Sequence, residues 1–213
     1  MSYQNPREEI AAELAAEFPD AEVLKGARLP AVPTRGEVTV YMQSAKVDPR
    51  DYLISRIFYA SGIRLGELVA LLFADVLWDE RALFVRSGKG DKDRYALLDT
   101  ETLALLRDWQ GTRGTEAPLF DIEERAVQRA VEKYAKQTGL YQKYLAMDRS
   151  FSPHSFRHAF ATHCYENGMD LFTLKRLMGH EYLETTEIYI ATGLDRWRVS
   201  YDSCHEWEQK DGP

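Results

Sequence analysis

Apolar residues recur along most of the chain at intervals of three and four, which is the spacing of amphipathic helices. Capping residues and helix breakers divide this pattern into segments. Asn5 precedes a short N-terminal helix, Pro30 and Pro33 mark a loop, and Thr34 is placed to cap the first helix of the main body. Further helices are predicted over 49–62, 66–72, 121–138, 153–167, 170–178 and 184–192, and one more begins at Asp99 or Thr100.

The period of the pattern changes between residues 76 and 98. Short apolar runs are separated there by Asp79-Glu80 and by a turn rich in glycine and lysine at 88–93. Such runs and turns are typical of a small antiparallel meander. The sequence therefore predicts a mainly α fold with one small antiparallel β-sheet, in the α+β class.

The composition is that of one globular domain, or of a domain with a short arm. The 213 residues are 45% hydrophobic, and a chain of this length buries roughly two thirds of its unfolded surface without disulfides or metals. Cys164 and Cys204 are too few for a disulfide framework, which favours a reducing, cytoplasmic compartment. The sequence has no signal-peptide core and no apolar run of membrane-helix length, so we expect no membrane partner.

The net charge is −7 and the isoelectric point is about 5.3, which taken alone argues against a nucleic-acid partner. The acidic excess is unevenly distributed. Residues 181–213 contain eight acidic side chains and three basic ones, Arg196, Arg198 and Lys210. The middle of the chain is therefore close to balanced, and a local basic cleft remains possible there.

Four short segments hold residues suited to chemistry on a phosphate group. In chain order they contain Arg64 and Glu67; Lys89 and Lys92; His154, Arg157 and His158; and His180 with Tyr189 nine residues later. Each segment alone is weak evidence, because an isolated Arg-x-x-Glu is usually an ion pair and turn lysines are usually solvated.

Taken together and in this order, the segments resemble the catalytic domain of the tyrosine site-specific recombinases, the phage integrase and Xer-like family. The resemblance runs from about residue 34 to about residue 191 and implies the tyrosine recombinase catalytic-domain fold. We accordingly expect an N-terminal arm or linker at 1–33, a catalytic domain at 34–192, and a C-terminal tail at 193–213 that docks on a neighbouring protomer.

The residue types suit phosphoryl transfer without a metal. A phosphodiester under attack gathers negative charge on its non-bridging oxygens, and two guanidiniums, those of Arg64 and Arg157, can clamp such a group bidentately. Tyrosine is a weak nucleophile at its ordinary pKa of about 10 and needs a neighbouring base. Tyr189 is the predicted nucleophile and His154 the predicted base.

The remaining residues have supporting roles in this hypothesis. An ammonium on a glycine-flanked turn can protonate the departing 5′-oxygen, and Lys89 is preferred to Lys92 for this step. His180 would donate a hydrogen bond to a phosphate oxygen. Glu67 would orient a basic partner, and His158 would assist the site from behind it.

The resemblance also implies the surroundings of the reaction. The partner is double-stranded DNA with a specific recombination site, and the protein assembles on it, as a tetramer when two sites are synapsed. A 3′-phosphotyrosyl intermediate conserves the bond energy, so no metal, cofactor or ATP is expected. We expect a cytoplasmic protein, nucleoid-associated when bound to DNA, that acts in DNA recombination or integration.

Several alternatives stay open on the sequence. One alternative is a non-catalytic DNA-binding or accessory protein that keeps this fold. Another is a type IB topoisomerase that relaxes DNA by the same chemistry. Tyr165, Tyr182 and Tyr201 compete with Tyr189 as nucleophile. His154 and His158, at i and i+4 on one predicted helix, suggest a zinc site, but the helix lacks the glutamate of the His-Glu-x-x-His motif. We therefore expect His158 and His163 to be packing or hydrogen-bonding residues.

One departure from the family concerns the N-terminal part of the chain. Members usually carry a separate helical DNA-clamping domain before the catalytic domain, and residues 1–33 are too few to form one. We therefore expect either a catalytic fragment or a short member that resembles the fimbrial-switch invertases.

Overall fold

The computed structural model of the protein describes residues 31–86 and 93–179, which belong to one compact unit. This part of the chain forms eight α-helices, a single 3-10 turn at Phe73–Asp75 and a three-stranded sheet. The helices are α1 Arg35–Ala45, α2 Pro49–Ser61, α3 Leu65–Ala70, α4 Thr100–Gln110, α5 Glu124–Gln137, α6 Leu140–Ala146, α7 Pro153–Glu166 and α8 Leu171–Met178; the strands are β1 Val76–Leu77, β2 Ala82–Val85 and β3 Arg94–Leu97. The mainly α architecture with a small antiparallel sheet confirms the predicted fold class.

Local sequence signals determine where the first helices begin and end. The Thr34 hydroxyl accepts from the N–H of Glu37, whose carboxylate accepts from the N–H of Thr34, so α1 begins with a capping box. Asp48 caps α2 ahead of Pro49. Gly62 ends α2 in the left-handed region, with a φ of +63°, and a Cβ there would lie 2.5 Å from the Phe160 ring.

The sheet has the order β1-β2-β3, and both pairings are antiparallel. Leu83 pairs with Ala96 on the buried face, and Phe84 pairs with the exposed Tyr95 on the other. Val85 opposite Arg94 closes the described part of the hairpin. The turn that joins these two strands lies outside the described residues.

The core is built around α2, which packs against α7 and also against α1, α4 and α5. Aromatic rings fill its centre: Tyr41 lies 5.0 Å from Phe156 and 5.7 Å from Phe151, measured between ring centroids. The buried Tyr134 donates its hydroxyl hydrogen to the Asp51 carboxylate at 3.2 Å. This packing fixes the C-terminal end of α2, which leads directly into the candidate site.

Helix α6 was not predicted. The chain leaves α5 after Gln137, turns at Gly139 with a φ of +79°, and begins a helix again at once. Seven residues with two buried positions, Leu140 and Tyr144, are too short a segment to show a hydrophobic period. Contacts distant in sequence hold it: the Tyr144 hydroxyl donates to the Ala31 carbonyl at 2.9 Å, and the Lys143 ammonium pairs with the Glu37 carboxylate.

The other predicted elements agree with the structure to within a few residues. The helix expected at 66–72 spans Leu65–Ala70, because Leu71 is extended and Leu72 forms an isolated antiparallel bridge with Pro118. The N-terminal helix and the helix at 184–192 lie outside the described residues. Within 31–86 and 93–179, no helix is both long and apolar enough to cross a membrane.

Candidate active site

Two arginines are fixed on main-chain carbonyls where α2 and α8 end. Arg157, on α7, is only 5% exposed and donates from Nη1 to the Gly62 carbonyl and from Nη2 to the Met178 carbonyl, both at 2.5 Å. Arg64 directly precedes α3 and donates from Nη2 to the Gly179 carbonyl at 3.4 Å. Because helix C-termini carry partial negative charge, they favour cations at these positions. The two predicted clamp residues are thus brought to adjacent carbonyls.

Glu67 lies between Arg64 and a third arginine. Its Oε2 accepts from the main-chain N–H of Arg64 at 2.7 Å, and its Oε1 accepts from Arg64 Nη1 at 3.1 Å. Arg94 donates to both carboxylate oxygens, Nη1 to Oε1 at 2.6 Å and Nη2 to Oε2 at 2.7 Å. Glu67 therefore contacts two guanidiniums, those of Arg64 and Arg94, and Arg94 is a residue that the sequence analysis did not include.

The two arginines hold the Glu67 carboxylate in its ionised form. Burial alone would raise the pKa of Glu67, but the hydrogen bonds from Arg94 and from the Arg64 N–H, with the charges of both guanidiniums, lower it below its usual value. Arg64 and Arg94 share this carboxylate, and Arg157 lies on the neighbouring carbonyls, although the whole chain carries a charge of −7. The described part of the site thus brings three arginines together on an acidic chain.

Arg94 was missed by the sequence analysis, although the sequence carries a signal for it. Along β3 the residues alternate between buried and exposed, so Arg94 shares the buried face with Ala96. A charged side chain on the inward face of a strand requires a buried partner, because an unpaired charge there is costly. That requirement identifies the residue, but only the fold identifies Glu67 as its partner.

Two histidines project from the first turns of α7, next to Arg157. His154 is exposed and His158 is half-buried, and they lie one helical turn apart. Burial, together with electrostatic interactions with His154 and Arg157, lowers the pKa of His158 to about 4. His158 is therefore neutral at physiological pH, whereas His154 is open to an incoming group.

The far end of α7 has a different role. His163 is 6% exposed, and its Nδ1 lies 2.9 Å from the Tyr59 hydroxyl, which agrees with the expected hydrogen-bonding role. Tyr165, one of the competing nucleophiles, is 5% exposed. Among the residues that the structure describes, no group of three or more His, Cys, Asp or Glu side chains is arranged to hold a metal ion.

Four predicted site residues, Lys89, Lys92, His180 and Tyr189, lie outside the described residues. The same holds for the competing Tyr182 and Tyr201. The structure does describe the residues at the limits of these segments. Arg86 and Asp93 flank the turn that contains the two lysines, and Gly179, which precedes His180, supplies the carbonyl that Arg64 contacts.

Comparison with known proteins identifies the family. The sequence profile of the phage integrase family matches residues 36–194. The chain is 34% identical over 199 residues to the tyrosine recombinase XerA of Pyrococcus horikoshii, covering 87% of this chain and 66% of the relative. It is 32% identical over 205 residues to XerC of Chlamydia trachomatis, covering 87% of this chain and 62% of the relative. The chain thus spans slightly less than two thirds of the length of these relatives.

Solved structures share the fold. A crystal structure of XerA recombinase superposes with a TM-score of 0.68 at 24% identity, covering 94% of this chain and 77% of that one. The catalytic domain of bacteriophage HP1 integrase gives 0.60 at 18% identity, covering 81% of this chain and 94% of that one. XerH bound to its difH substrate gives 0.63 at 25% identity, covering 76% and 50%. The chain belongs to the phage integrase family and has the fold of a tyrosine recombinase catalytic domain.

Proposed function

We propose that this chain cuts and rejoins DNA strands at a specific site, with Tyr189 as the nucleophile and a 3′-phosphotyrosyl intermediate. The observation that carries the proposal is the pair of arginines, Arg64 and Arg157, held on adjacent carbonyls in a locally basic site. A scissile phosphate bound between them would have both non-bridging oxygens facing guanidiniums. Membership in the phage integrase family supports the same reaction.

Rigid placement of the guanidiniums is what this chemistry requires. Negative charge grows on the non-bridging oxygens as the phosphorus becomes five-coordinate, and fixed cations stabilise that charge without having to reorganise. Arg157 is held through two of its nitrogens by the Gly62 and Met178 carbonyls. Arg64 is held by Glu67 and by the Gly179 carbonyl. Both side chains are therefore oriented before DNA arrives.

The proposed step exchanges the phosphorus–O5′ bond for a bond between phosphorus and the tyrosine oxygen. The Tyr189 hydroxyl oxygen attacks phosphorus and its proton passes to His154; the phosphorus–O5′ bond breaks and Lys89, or Lys92 in its place, protonates the 5′-oxygen. His180 donates a hydrogen bond to a non-bridging oxygen, and neutral His158 supports His154 and Arg157 from the same helix. Attack of a 5′-hydroxyl on the phosphotyrosine reverses the sequence. No metal ion or ATP takes part.

We propose duplex DNA as the partner, with assembly on it. The XerH structure contains its difH substrate, and structures of the Tn1549 transposon integrase contain transposon DNA, and both are neighbours in fold. By the same relationship, four protomers would synapse two sites, and the tail at 193–213, which contains Trp197, Tyr201 and Trp207, would dock on a neighbouring protomer.

The net charge of −7 favours a second candidate, a non-catalytic accessory protein that keeps the fold for pairing with an active recombinase. Retention of the arginine pair and of its carboxylate partner argues against it, because recognition of DNA alone does not require this buried arrangement. A type IB topoisomerase would share the covalent step and differ in needing no second site.

The test is covalent trapping in EDTA. Fragments of the source genome, nicked to prevent rejoining, are incubated at low salt with wild-type protein, with Tyr189→Phe and with the control Tyr182→Phe, and the reaction is stopped with detergent. We expect protein-linked DNA from the wild type and from the control, and none from Tyr189→Phe. Adduct that persists in Tyr189→Phe would contradict the assigned nucleophile, and specific binding without any adduct would support the accessory protein.

A further inference from the structure

Arg94 is an interior charge on the edge strand of a small sheet. Its side chain is 6% exposed, and it is the first residue of β3, close in sequence to Lys89 and Lys92. Burial of a guanidinium requires that its charge be matched and its donors be used. Three of its donors reach two different elements, so the residue is not a simple surface ion pair.

The first of these elements is α3, which it contacts through Glu67. The two terminal nitrogens of Arg94 meet the two carboxylate oxygens at 2.6 and 2.7 Å, the parallel arrangement that only a guanidinium can form. The same carboxylate accepts from the N–H and from the guanidinium of Arg64. The position of Arg64 therefore depends on Arg94 through one shared carboxylate.

The second element is the C-terminal end of α8. The Nε of Arg94 donates to the Leu177 carbonyl at 3.1 Å. Gly179 follows in the left-handed region, with a φ of +64°, and a Cβ on it would lie 2.8 Å from the Cδ of Arg94. This end of α8 is thus shaped against the Arg94 side chain, and its Met178 and Gly179 carbonyls are those that Arg157 and Arg64 contact.

We propose that Arg94 is a positioning residue: it joins β3, α3 and the C-terminal end of α8, and so holds Arg64 and the carbonyls that orient both clamp arginines. The inference rests on the proposed function. It assigns Arg94 no contact with the reacting phosphate. It also links β3, the strand that follows Lys89 and Lys92 in the sequence, to the same carboxylate that orients Arg64.

The geometry predicts that a positive charge at position 94 is not enough to hold Glu67 in place. A lysine keeps the positive charge but has one nitrogen, so it cannot meet both Glu67 oxygens and the Leu177 carbonyl together. Arg94→Lys would leave Glu67 free to shift and take Arg64 with it. A displacement of about 1 Å in such a group costs up to roughly 100-fold in rate.

The test compares single-turnover cleavage of a nicked duplex by wild type, Arg94→Lys, Glu67→Gln and the control Arg113→Lys, below the melting temperature of every variant. Arg113 is exposed and also donates to a main-chain carbonyl, at Gln110. We expect cleavage to slow about 10- to 100-fold in both site variants while their DNA dissociation constants change less than about threefold, with the control at the wild-type rate.

A second comparison separates positioning from general loss of stability. If Arg94 acts through the clamp arginines, then Arg94→Lys slows cleavage less in an Arg64→Ala background than in the wild type, because coupled losses do not add in full. Additive losses, or full-rate cleavage by Arg94→Lys, would overturn this inference alone. A wild type that forms no adduct would instead overturn the proposed function, and with it the basis of this inference.

Discussion

At the scale of single residues, the site depends on how Arg157 is bound. The side chain is almost fully buried, and it joins the carbonyls at the ends of α2 and α8, which are far apart in the sequence. A hydrogen bond to a charged group contributes about 1.5–3 kcal/mol, more than one between neutral groups. Arg157 therefore has a structural role besides the chemical one proposed for it.

Arg157→Lys tests that structural role. One ammonium cannot span the Gly62 and Met178 carbonyls as the guanidinium does, so we expect the free energy of unfolding to fall by about 1.5–3 kcal/mol in urea titrations. Arg64→Lys is the matched control, because Arg64 is 33% exposed and its contact with Gly179 is longer. Equal losses in the two variants would contradict the structural role assigned to Arg157.

A second prediction at this scale concerns His158 and pH. Its pKa is about 4 in the folded protein, below the usual value of about 6.5, because of burial first and of neighbouring positive charges second. Between these two values the unfolded chain binds a proton that the folded chain does not. Stability contributed by neutral His158 is thus present above about pH 6.5 and is lost as the pH falls toward 4.

The measurement is urea unfolding from pH 7 to pH 4 for wild type, His158→Gln and the exposed control His154→Gln. We expect the wild type and the control to lose stability with acid, and His158→Gln to lose roughly 1–2 kcal/mol less, a figure that allows for the exposed part of the ring. Parallel curves for all three proteins would show that His158 does not titrate as assigned.

At the scale of elements, the sequence predicted those features that depend on neighbouring residues. The caps at Thr34 and Asp48, the stop at Gly62 and the meander between residues 76 and 98 all follow from local turn and capping chemistry. Helix α6 depends on a distant hydrogen bond from Tyr144 to Ala31, and no local pattern specifies it. The same difference between local signals and distant contacts determines which parts of the candidate site could be predicted.

Within the candidate site, Arg64, Glu67, His154 and Arg157 were predicted from their spacing and family order. The partners of these residues were not predicted, because a sequence pattern does not show which main-chain carbonyls, here those at the ends of α2 and α8, a side chain will contact. Arg94 lies between these cases: its inward position on β3 follows from alternation, and its pairing with Glu67 needs the fold.

Gly179→Ala tests how tightly the end of α8 is fitted to the site. The backbone is left-handed there, and the new Cβ would lie 2.8 Å from an Arg94 side chain that Glu67 holds in place. Gly139→Ala is the control, since Gly139 has a similar φ of +79° and no atom within 4 Å of the added Cβ.

We expect Gly139→Ala to cost about 1 kcal/mol of unfolding free energy, from backbone strain alone. Gly179→Ala should cost about 1–3 kcal/mol more, because the contact with Arg94 must also be relieved. Thermal and urea unfolding of the two variants measure the difference. The close fit would be refuted by equal losses at the two glycines.

At the scale of the whole molecule, the net charge of the chain does not describe the charge at its candidate site. The chain carries −7 overall, with eight acidic side chains after residue 180, yet in its candidate site Arg64 and Arg94 share the carboxylate of Glu67, and Arg157 lies on the neighbouring Gly62 and Met178 carbonyls. A bound phosphate interacts mainly with the charges close to it, because charges beyond about one Debye length are screened. The acidic total is therefore compatible with the proposed reaction on DNA.

The most direct test of the account identifies the atom that becomes joined to DNA. Protein trapped on nicked duplex in EDTA is digested with protease and nuclease, and the nucleotide-bearing peptide is sequenced by mass spectrometry. We expect one modified residue, Tyr189, carrying a nucleotide through its 3′-phosphate, and loss of this peptide in Arg64→Ala and Arg157→Ala. A nucleotide on Tyr182 or Tyr201, or one joined through a 5′-phosphate, would contradict it.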